Sequence, residues 1–211
     1  MKDGRISGIY AITQEDGHTA SLLEKVTAAL AGGVRFFQYR NKSGSGKLRR
    51  EQCKAVLGAV RTFGGTLIVN DDYRLALDVG AEGVHLGVDD GSIESARRVL
   101  GPEAIIGVSC YASLDRAADL QGAGADYVAF GSFFPSLTKP DAVRAPIELL
   151  SSAKSRLSVP VVAIGGINKN NARLLTDSGA DAVAVLSSLF AADGVAQQAR
   201  ELVSVIKEQD V

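Results

Sequence analysis

The sequence contains few residues of the kinds that mark extracellular, membrane and metal-binding proteins. Among its 211 residues are two cysteines and two histidines. Cys53 and Cys110 lack the spacing of a zinc site and need not pair, so we expect a reducing, cytoplasmic environment. No apolar run reaches the roughly 18 residues that suggest a membrane span. The first residues also lack the apolar core of a signal peptide.

The sequence also lacks an excess of charge of either sign. The net charge is −1 at pH 7, so the chain has no basic field that would attract nucleic acid. Hydrophobic residues make up 46% of the sequence, which is enough for one sizeable core. We therefore expect one domain over 1–211 that acts on small-molecule substrates, without nucleic acid or membrane, as a monomer or a homo-oligomer.

The sequence does contain a motif that occurs four times, in which glycine ends a helical pattern and a short apolar strand follows. Glycine suits this position because it adopts the left-handed conformation at no steric cost. Four more apolar runs lie between the copies, which gives eight strands spaced by roughly one strand plus one helix, about 20 to 30 residues. The pattern predicts a single (β/α)8 TIM barrel with its active site at the carboxyl ends of the strands. The copies are 31–38, 80–87, 124–131 and 179–186, and the other runs are 7–13, 66–70, 104–109 and 159–166.

Polar residues follow the second predicted strand. Because side chains alternate along a strand, Gln38, Arg40 and Lys42 are expected to share a face. Two cations and an amide on one face suit a phosphate or pyrophosphate. The alternative is a solvated basic strand end.

Pairs of aspartates follow the next two strands. Asp71 and Asp72 come after Asn70, and Asp89 and Asp90 follow strand 4. Neighbouring strands would bring one carboxylate from each pair to the same rim, where Mg²⁺ could complete its shell with water and phosphate oxygens. The alternative is helix capping, since Asp72 and Asp89 lie beside predicted helix starts.

The last strands predict a second anion site. Strand 7 ends in Gly165 and Gly166, and strand 8 in Ser187 and Ser188, before a short predicted helix at 189–192. Barrels often bind phosphate between these two loops through backbone N–H groups. The long loop 132–145 after strand 6 adds two hydroxyls and a lysine between prolines.

Two residues inside the predicted strands have open roles. Ser109 either contacts a ligand or caps the next helix. His85 is interpreted as a hydrogen-bonded barrel histidine, with a general base as the alternative. No pairing of a nucleophile with a base is visible among Ser, Cys and His, which argues against covalent hydrolysis.

Taken in order, these motifs resemble thiamine-phosphate synthase, also called thiamine-phosphate pyrophosphorylase, over nearly the whole chain. Two positions depart from the commonest family pattern: Asn41 stands where an acidic residue is frequent, and Ser136 where threonine is frequent. The motifs that carry the resemblance are 38–42, 69–72, 85–90, 107–109, 130–139, 164–167 and 186–187.

The resemblance implies a transferase with Mg²⁺ as its cofactor. It would join 4-amino-2-methyl-5-(diphosphooxymethyl)pyrimidine to a thiazole phosphate and give thiamine phosphate and pyrophosphate. The implied mechanism is dissociative: pyrophosphate leaves first, and the thiazole nitrogen traps the pyrimidine-methyl cation. Such a step needs stabilisation of the leaving group more than a base.

The resemblance also implies which residues bind. The pyrimidine diphosphate would contact Gln38, Tyr39, Arg40, Asn41, Lys42, Asn70, Ser109 and Lys139. The thiazole phosphate would contact Ser136, Leu137, Thr138, Gly166, Leu186 and Ser187. The metal would be held by Asp71 and Asp90, and the catalytic residues would be Arg40, Lys42 and Lys139.

Two other functions are compatible with parts of this pattern. A thiazole tautomerase of the same pathway would bind thiazole phosphate alone, and it would have no use for Arg40, Lys42 and the two metal-binding aspartates. A non-catalytic phosphate-ligand sensor would use the glycine–serine site but would not need a metal site.

Overall fold

The computed structural model describes residues 6–136 and 143–207, in which strands alternate with helices until two helices follow the last strand. Eight parallel strands form a closed barrel in which each strand pairs with the next and β8 pairs with β1. The predicted (β/α)8 barrel is therefore confirmed. The strands are β1 Gly8–Ile12, β2 Phe36–Tyr39, β3 Thr66–Asn70, β4 Gly83–Leu86, β5 Ile105–Tyr111, β6 Tyr127–Gly131, β7 Val161–Ile164 and β8 Ala182–Val185.

Helices form the outer layer, and their apolar faces pack on the barrel. None of the described helices is both long enough and apolar enough to cross a membrane. The helices are α1 Thr19–Ala31, α2 Gly46–Thr62, α3 Tyr73–Val79, α4 Ile93–Leu100, α5 Leu114–Gly122, α6 Glu148–Arg156, α7 Ala172–Asp177, α8 Ser187–Phe190 and α9 Val195–Lys207.

The residues that cap the helices decide several alternatives from the sequence. Asp72 accepts a hydrogen bond from the backbone N–H of Leu75 and caps α3. Helix α4 is capped by Ser92 and helix α5 by Ser113. Capping therefore explains Asp72, whereas Asp89 and Ser109 are not the caps of the helices that follow them.

The barrel interior and the space between barrel and helices form two separate apolar clusters. This follows from the alternation of side chains along each strand, which sends every second residue inward. At the carboxyl ends of the strands the inward positions become polar. The interior cluster consists of Ile6, Tyr10, Ile12, Phe36, Ile68, Ile105, Tyr127, Ala129, Val162, Ala182 and Ala184.

Three aromatic rings fill the middle of the barrel. Tyr10 stacks on Phe36 with ring centroids 4.0 Å apart, and Tyr127 meets both rings edge-on at 6.0 Å. Gly107 makes room for them, because a Cβ atom there would lie 1.9 Å from Cζ of Tyr127. The phenol of Tyr127 is thereby held beneath the polar layer.

Candidate active site

A cavity of about 1200 Å³ opens at the carboxyl ends of the strands, and all eight strands contribute to its wall. This volume exceeds that of a typical site for one small ligand, about 300 to 1000 Å³, so it has room for two small substrates. The predicted site residues that line it are Gln38, Arg40, Lys42, Asn70, Asp71, Asp90, Ser109, Ser136, Gly166, Leu186 and Ser187. Leu137, Thr138 and Lys139 lie outside the described residues.

Residues 38–42 do not all face the cavity. Tyr39 and Asn41 are turned toward α2, where the Tyr39 hydroxyl and the Asn41 side-chain amide each donate to Oε1 of Gln52 at 2.9 Å. Successive side chains in extended chain point to opposite sides, so the structure does not bring these two residues to the ligand space. Contact of these two residues with the pyrimidine stays a prediction that rests on the resemblance alone.

Each of the two cations on the cavity wall has a carboxylate partner. Arg40 Nη1 lies 3.1 Å from Oε1 of Glu15, and Lys42 Nζ lies 3.0 Å from Oδ2 of Asp71. A hydrogen bond from the hydroxyl of Ser43, with the charge of Arg40 as a smaller cause, lowers the pKa of Glu15. Sequence reasoning missed Glu15, whose position in the polar loop after β1 was the available signal.

The two aspartate pairs divide into different environments. Asp71 and Asp90 approach each other on the cavity wall, and burial, followed by the contact with Asp71, raises the pKa of Asp90. The N–H of Gly87 donates to Asp90 Oδ2 at 2.8 Å and holds that carboxyl in place. Asp72 instead pairs with Arg49 at 2.6 Å. Asp89 also lines the cavity, but Asp71 and Asp90 are the two aspartates shown in contact with each other there.

The backbone directs the carboxyl of Asp71. Its φ is 64°, in the left-handed region that residues other than glycine rarely adopt. Such a conformation costs on the order of 1 to 3 kcal/mol and is concentrated at functional sites. The turn that contains it, closed by the Asp72 N–H to the carbonyl of Asn70 at 2.8 Å, places Asp71 beside Lys42.

The carboxylates of Asp71 and Asp90 suit a hard cation that takes its remaining ligands from water and from the substrate. Within the described ranges, no three acidic, histidine or cysteine side chains form a group that could hold a metal ion. Two neighbouring carboxylates, one with a raised pKa, do fit Mg²⁺, which commonly takes one or two protein carboxylates and completes its octahedron with water and phosphate oxygens.

A chain of buried hydrogen bonds crosses the floor of the cavity. Gln38 Nε2 donates to the hydroxyl of Tyr10 at 2.8 Å, and the hydroxyls of Tyr10 and Tyr127 are 2.8 Å apart. His85 continues the chain, with Nδ1 2.9 Å from the Tyr127 hydroxyl and Nε2 2.9 Å from Oγ of Ser109.

These contacts confirm the interpretation of His85 as a hydrogen-bonded barrel histidine. Burial lowers the pKa of His85 to about 4, against a smaller opposing effect of Asp90, so the ring is neutral near pH 7. Sequence reasoning missed Tyr10 and Tyr127. The available signal was a hydroxyl inside an otherwise apolar strand, because a buried tyrosine usually finds a partner for its O–H.

The opposite side of the cavity is formed by the loops after β6, β7 and β8. Gly166 has a φ of 63°, and a Cβ atom there would lie 2.2 Å from the carbonyl oxygen of Pro135. The glycine is thus required by the loop after β6, a reason different from the close approach of phosphate that the sequence suggested. Helix α8 begins at Ser187, two residues before the predicted 189, so Ser187 and Ser188 form its first turn.

Comparison with known proteins gives consistent results. A family model described as thiamine monophosphate synthase matches residues 9–189. The thiamine-phosphate synthase of Thiobacillus denitrificans is 56% identical over 195 residues, which covers 92% of each chain. That of Halorhodospira halophila is 50% identical and covers 95% of this chain and 94% of its own.

A solved structure is similar as well. Thiamine phosphate pyrophosphorylase from Pyrococcus furiosus superimposes with a TM-score of 0.86 at 35% identity, covering 95% of this chain and 96% of that one.

Proposed function

The chain belongs to the thiamine monophosphate synthase family, and from this we propose how its cavity binds and joins the two substrates. Family membership rests on the match over residues 9–189 and on 56% identity to a thiamine-phosphate synthase. The activity is accordingly that of a thiamine-phosphate synthase, a transferase. The tautomerase and sensor alternatives are not favoured.

The first substrate in this proposal is 4-amino-2-methyl-5-(diphosphooxymethyl)pyrimidine. Its diphosphate lies against Arg40 and Lys42, and its ring lies against Gln38, Asn70 and Ser109, all of which line one side of the cavity. The observation that carries this assignment is the meeting, on one rim, of these two cations with two carboxylates. A fixed cluster of both signs suits a metal-bound polyanion better than a neutral ligand.

Asp71 and Asp90 would hold Mg²⁺ in this arrangement. Bound there, the ion would neutralise charge on the diphosphate oxygens. Lys42 is already placed beside Asp71, at 3.0 Å, and it contributes a second positive charge toward the same oxygens.

The reaction breaks the bond between the pyrimidine methylene carbon and the diphosphate oxygen, and the electron pair leaves with pyrophosphate. The lone pair of the thiazole nitrogen then forms the new carbon–nitrogen bond. Arg40 and Lys42 act where negative charge grows on the leaving oxygens, so they stabilise the transition state more than the ground state. Lys139 joins them by resemblance alone, since it lies outside the described residues.

The second substrate, the thiazole phosphate, is placed on the opposite side of the cavity. Ser136, Gly166, Leu186 and Ser187 line that side, and Leu137 and Thr138 are assigned by resemblance alone. Serine hydroxyls and backbone N–H groups at the end of β8 are suitable donors to a phosphate.

The direct test is incubation of the purified protein with both substrates and Mg²⁺. We expect thiamine phosphate and pyrophosphate in equal amounts, loss of turnover with a chelator and recovery on addition of Mg²⁺. Conversion of thiazole phosphate alone to an isomer, without pyrophosphate release, would contradict the proposal. We also propose a cytoplasmic location, with which two buried, unpaired cysteines agree.

A further inference from the structure

The hydrogen bonds under the cavity floor have a direction, which follows from counting hydrogens. Gln38 Nε2 donates to the hydroxyl oxygen of Tyr10. A phenol carries a single hydrogen, and the other partner of the Tyr10 hydroxyl is the hydroxyl of Tyr127 at 2.8 Å. The Tyr10 oxygen could accept twice, but among the described residues its buried hydrogen finds an acceptor only when Tyr10 donates to Tyr127.

The same count continues through His85. Tyr127 accepts from Tyr10, so its own hydrogen is left for His85 Nδ1 at 2.9 Å. A neutral imidazole has one donor nitrogen and one acceptor nitrogen. Since Nδ1 accepts, the proton lies on Nε2, which donates to Oγ of Ser109 at 2.9 Å.

We propose that Tyr10, Tyr127 and His85 are positioning residues that fix Ser109 as a hydrogen-bond donor to the substrate. The Ser109 hydroxyl accepts from His85 and lines the cavity, so its hydrogen points into the ligand space. The atom of the pyrimidine substrate that meets Ser109 must then be an acceptor, such as a ring nitrogen. This last step rests on the proposed function, whereas the direction of the chain does not.

The surroundings keep this arrangement in one state. Tyr10 and Tyr127 are both 1% exposed or less, so water does not compete for their hydroxyls. Gly107 leaves the Tyr127 phenol its space. A buried chain in which every member is satisfied is costly to reverse, because one reversed bond leaves two donors or two acceptors facing each other.

The position of the proton on His85 tests the direction of the chain. The protein has two histidines, so the variant His18→Gln, which changes an exposed residue, leaves His85 as the single imidazole. Nitrogen NMR of this variant without substrate is expected to show hydrogen on Nε2 and none on Nδ1. A ring protonated on Nδ1, or exchanging between both forms, would overturn the proposal. This measurement needs no turnover, so its failure is distinct from failure of the proposed function.

Two further variants, made in the His18→Gln background, test the positioning role. Tyr127→Phe removes the hydroxyl that donates to His85, so we expect both tautomers of His85 and a rise of about tenfold in the KM for the pyrimidine diphosphate, with kcat changed less than twofold. Phe36→Leu is the control, because Phe36 packs on the same tyrosine rings without joining the hydrogen bonds.

The control should lower stability yet keep the single tautomer and the KM. An unchanged KM in Tyr127→Phe, or equal effects of both substitutions on the tautomer, would overturn the positioning role. Should Tyr127→Phe fail to fold, the tautomer in the His18→Gln variant still decides.

Discussion

Asp71 and Asp72 are neighbours in the chain, but they have different roles in the structure. Asp71 faces Lys42 and Asp90 in the cavity, with a left-handed backbone. Asp72 caps α3 and pairs with Arg49 on its outer side. The sequence alone left ligand binding and capping open for both, since the choice depends on which way each carboxyl points.

Asp71→Asn and Asp72→Asn are therefore a matched pair. We expect Asp71→Asn to lower kcat/KM by at least about 100-fold, because it removes a charge from the proposed Mg²⁺ site. Asp72→Asn keeps a good N-cap and should change kcat/KM less than about threefold, with a small loss of thermal stability. Steady-state kinetics at saturating Mg²⁺ measure both, and equal losses would contradict the division of roles.

Arg40 offers a test of the diphosphate side. Arg40→Ala should weaken binding of the pyrimidine diphosphate by about 10- to 100-fold, as expected for loss of a charge-assisted contact of about 1.5 to 3 kcal/mol. Affinity for thiazole phosphate should stay within about twofold. Calorimetric titration of each ligand into the free protein measures both.

Arg50→Ala is the control for Arg40, because Arg50 pairs with Asp78 on the outer surface. It should bind both ligands like the parent protein. A similar loss of both ligands in Arg40→Ala would argue against two separate anion sites.

His85 also affects stability at low pH. Its pKa is about 4 in the folded protein and near 6.5 when exposed, so the unfolded chain binds the proton first as pH falls. Folding stability contributed by the neutral ring is thus present above pH 6.5 and lost toward pH 4. The free energy of unfolding should fall by about 2 kcal/mol from this cause between pH 6.5 and pH 5.

Urea unfolding of the parent protein and of His85→Gln across this pH range isolates the effect of His85. The difference between their pH slopes should match that loss. Parallel slopes would show that the folded ring takes up a proton as readily as an exposed one.

At the scale of elements, the strands and helices could be predicted and several contacts between them could not. The repeated glycine motif and the four apolar runs between its copies placed all eight strands, since both signals are local in the sequence. The hydrogen bond between the hydroxyls of Tyr10 and Tyr127 joins residues 117 positions apart, so no local pattern in the sequence reveals it. Tyr39 and Asn41 were assigned to the ligand because the resemblance covers the whole motif 38–42. The alternation of side chains along the strand points these two residues toward α2 and away from the cavity.

Substitution of Gly107 in β5 tests whether the missing side chain provides the space that the Tyr127 ring of β6 occupies. A Cβ atom there would overlap the ring of Tyr127, so Gly107→Ala should destabilise the protein by about 1 to 3 kcal/mol, the usual cost of overpacking. Gly58 in α2 has nothing within 4 Å of its added Cβ, and Gly58→Ala should be stabilising by about 0.5 to 1 kcal/mol. Denaturant unfolding measures both, and two changes of the same sign would refute the packing argument.

At the scale of the whole molecule, the proposed site divides along the chain. The residues on the pyrimidine side lie in β2 to β5 or in the loops after them, and those described on the thiazole side lie in the loops after β6 to β8. The repeat predicts the barrel, and the barrel brings the two groups to one face. Their separation across the cavity depends on closure of the ring, which no segment of the sequence encodes by itself.

Closure of the ring has a consequence for alignment. With β1 counted in the pyrimidine half, because Tyr10 on β1 is hydrogen-bonded to Gln38, the two halves meet where β5 pairs with β6 and where β8 pairs with β1. These two places are the seams of the barrel. Each half orients one substrate, so the seams determine how the thiazole nitrogen is aimed at the methylene carbon. A small slip at a seam would leave each substrate bound as tightly as before while the reacting atoms no longer met, which lowers kcat alone. The barrel thus fixes the distance between two ligands that it binds independently.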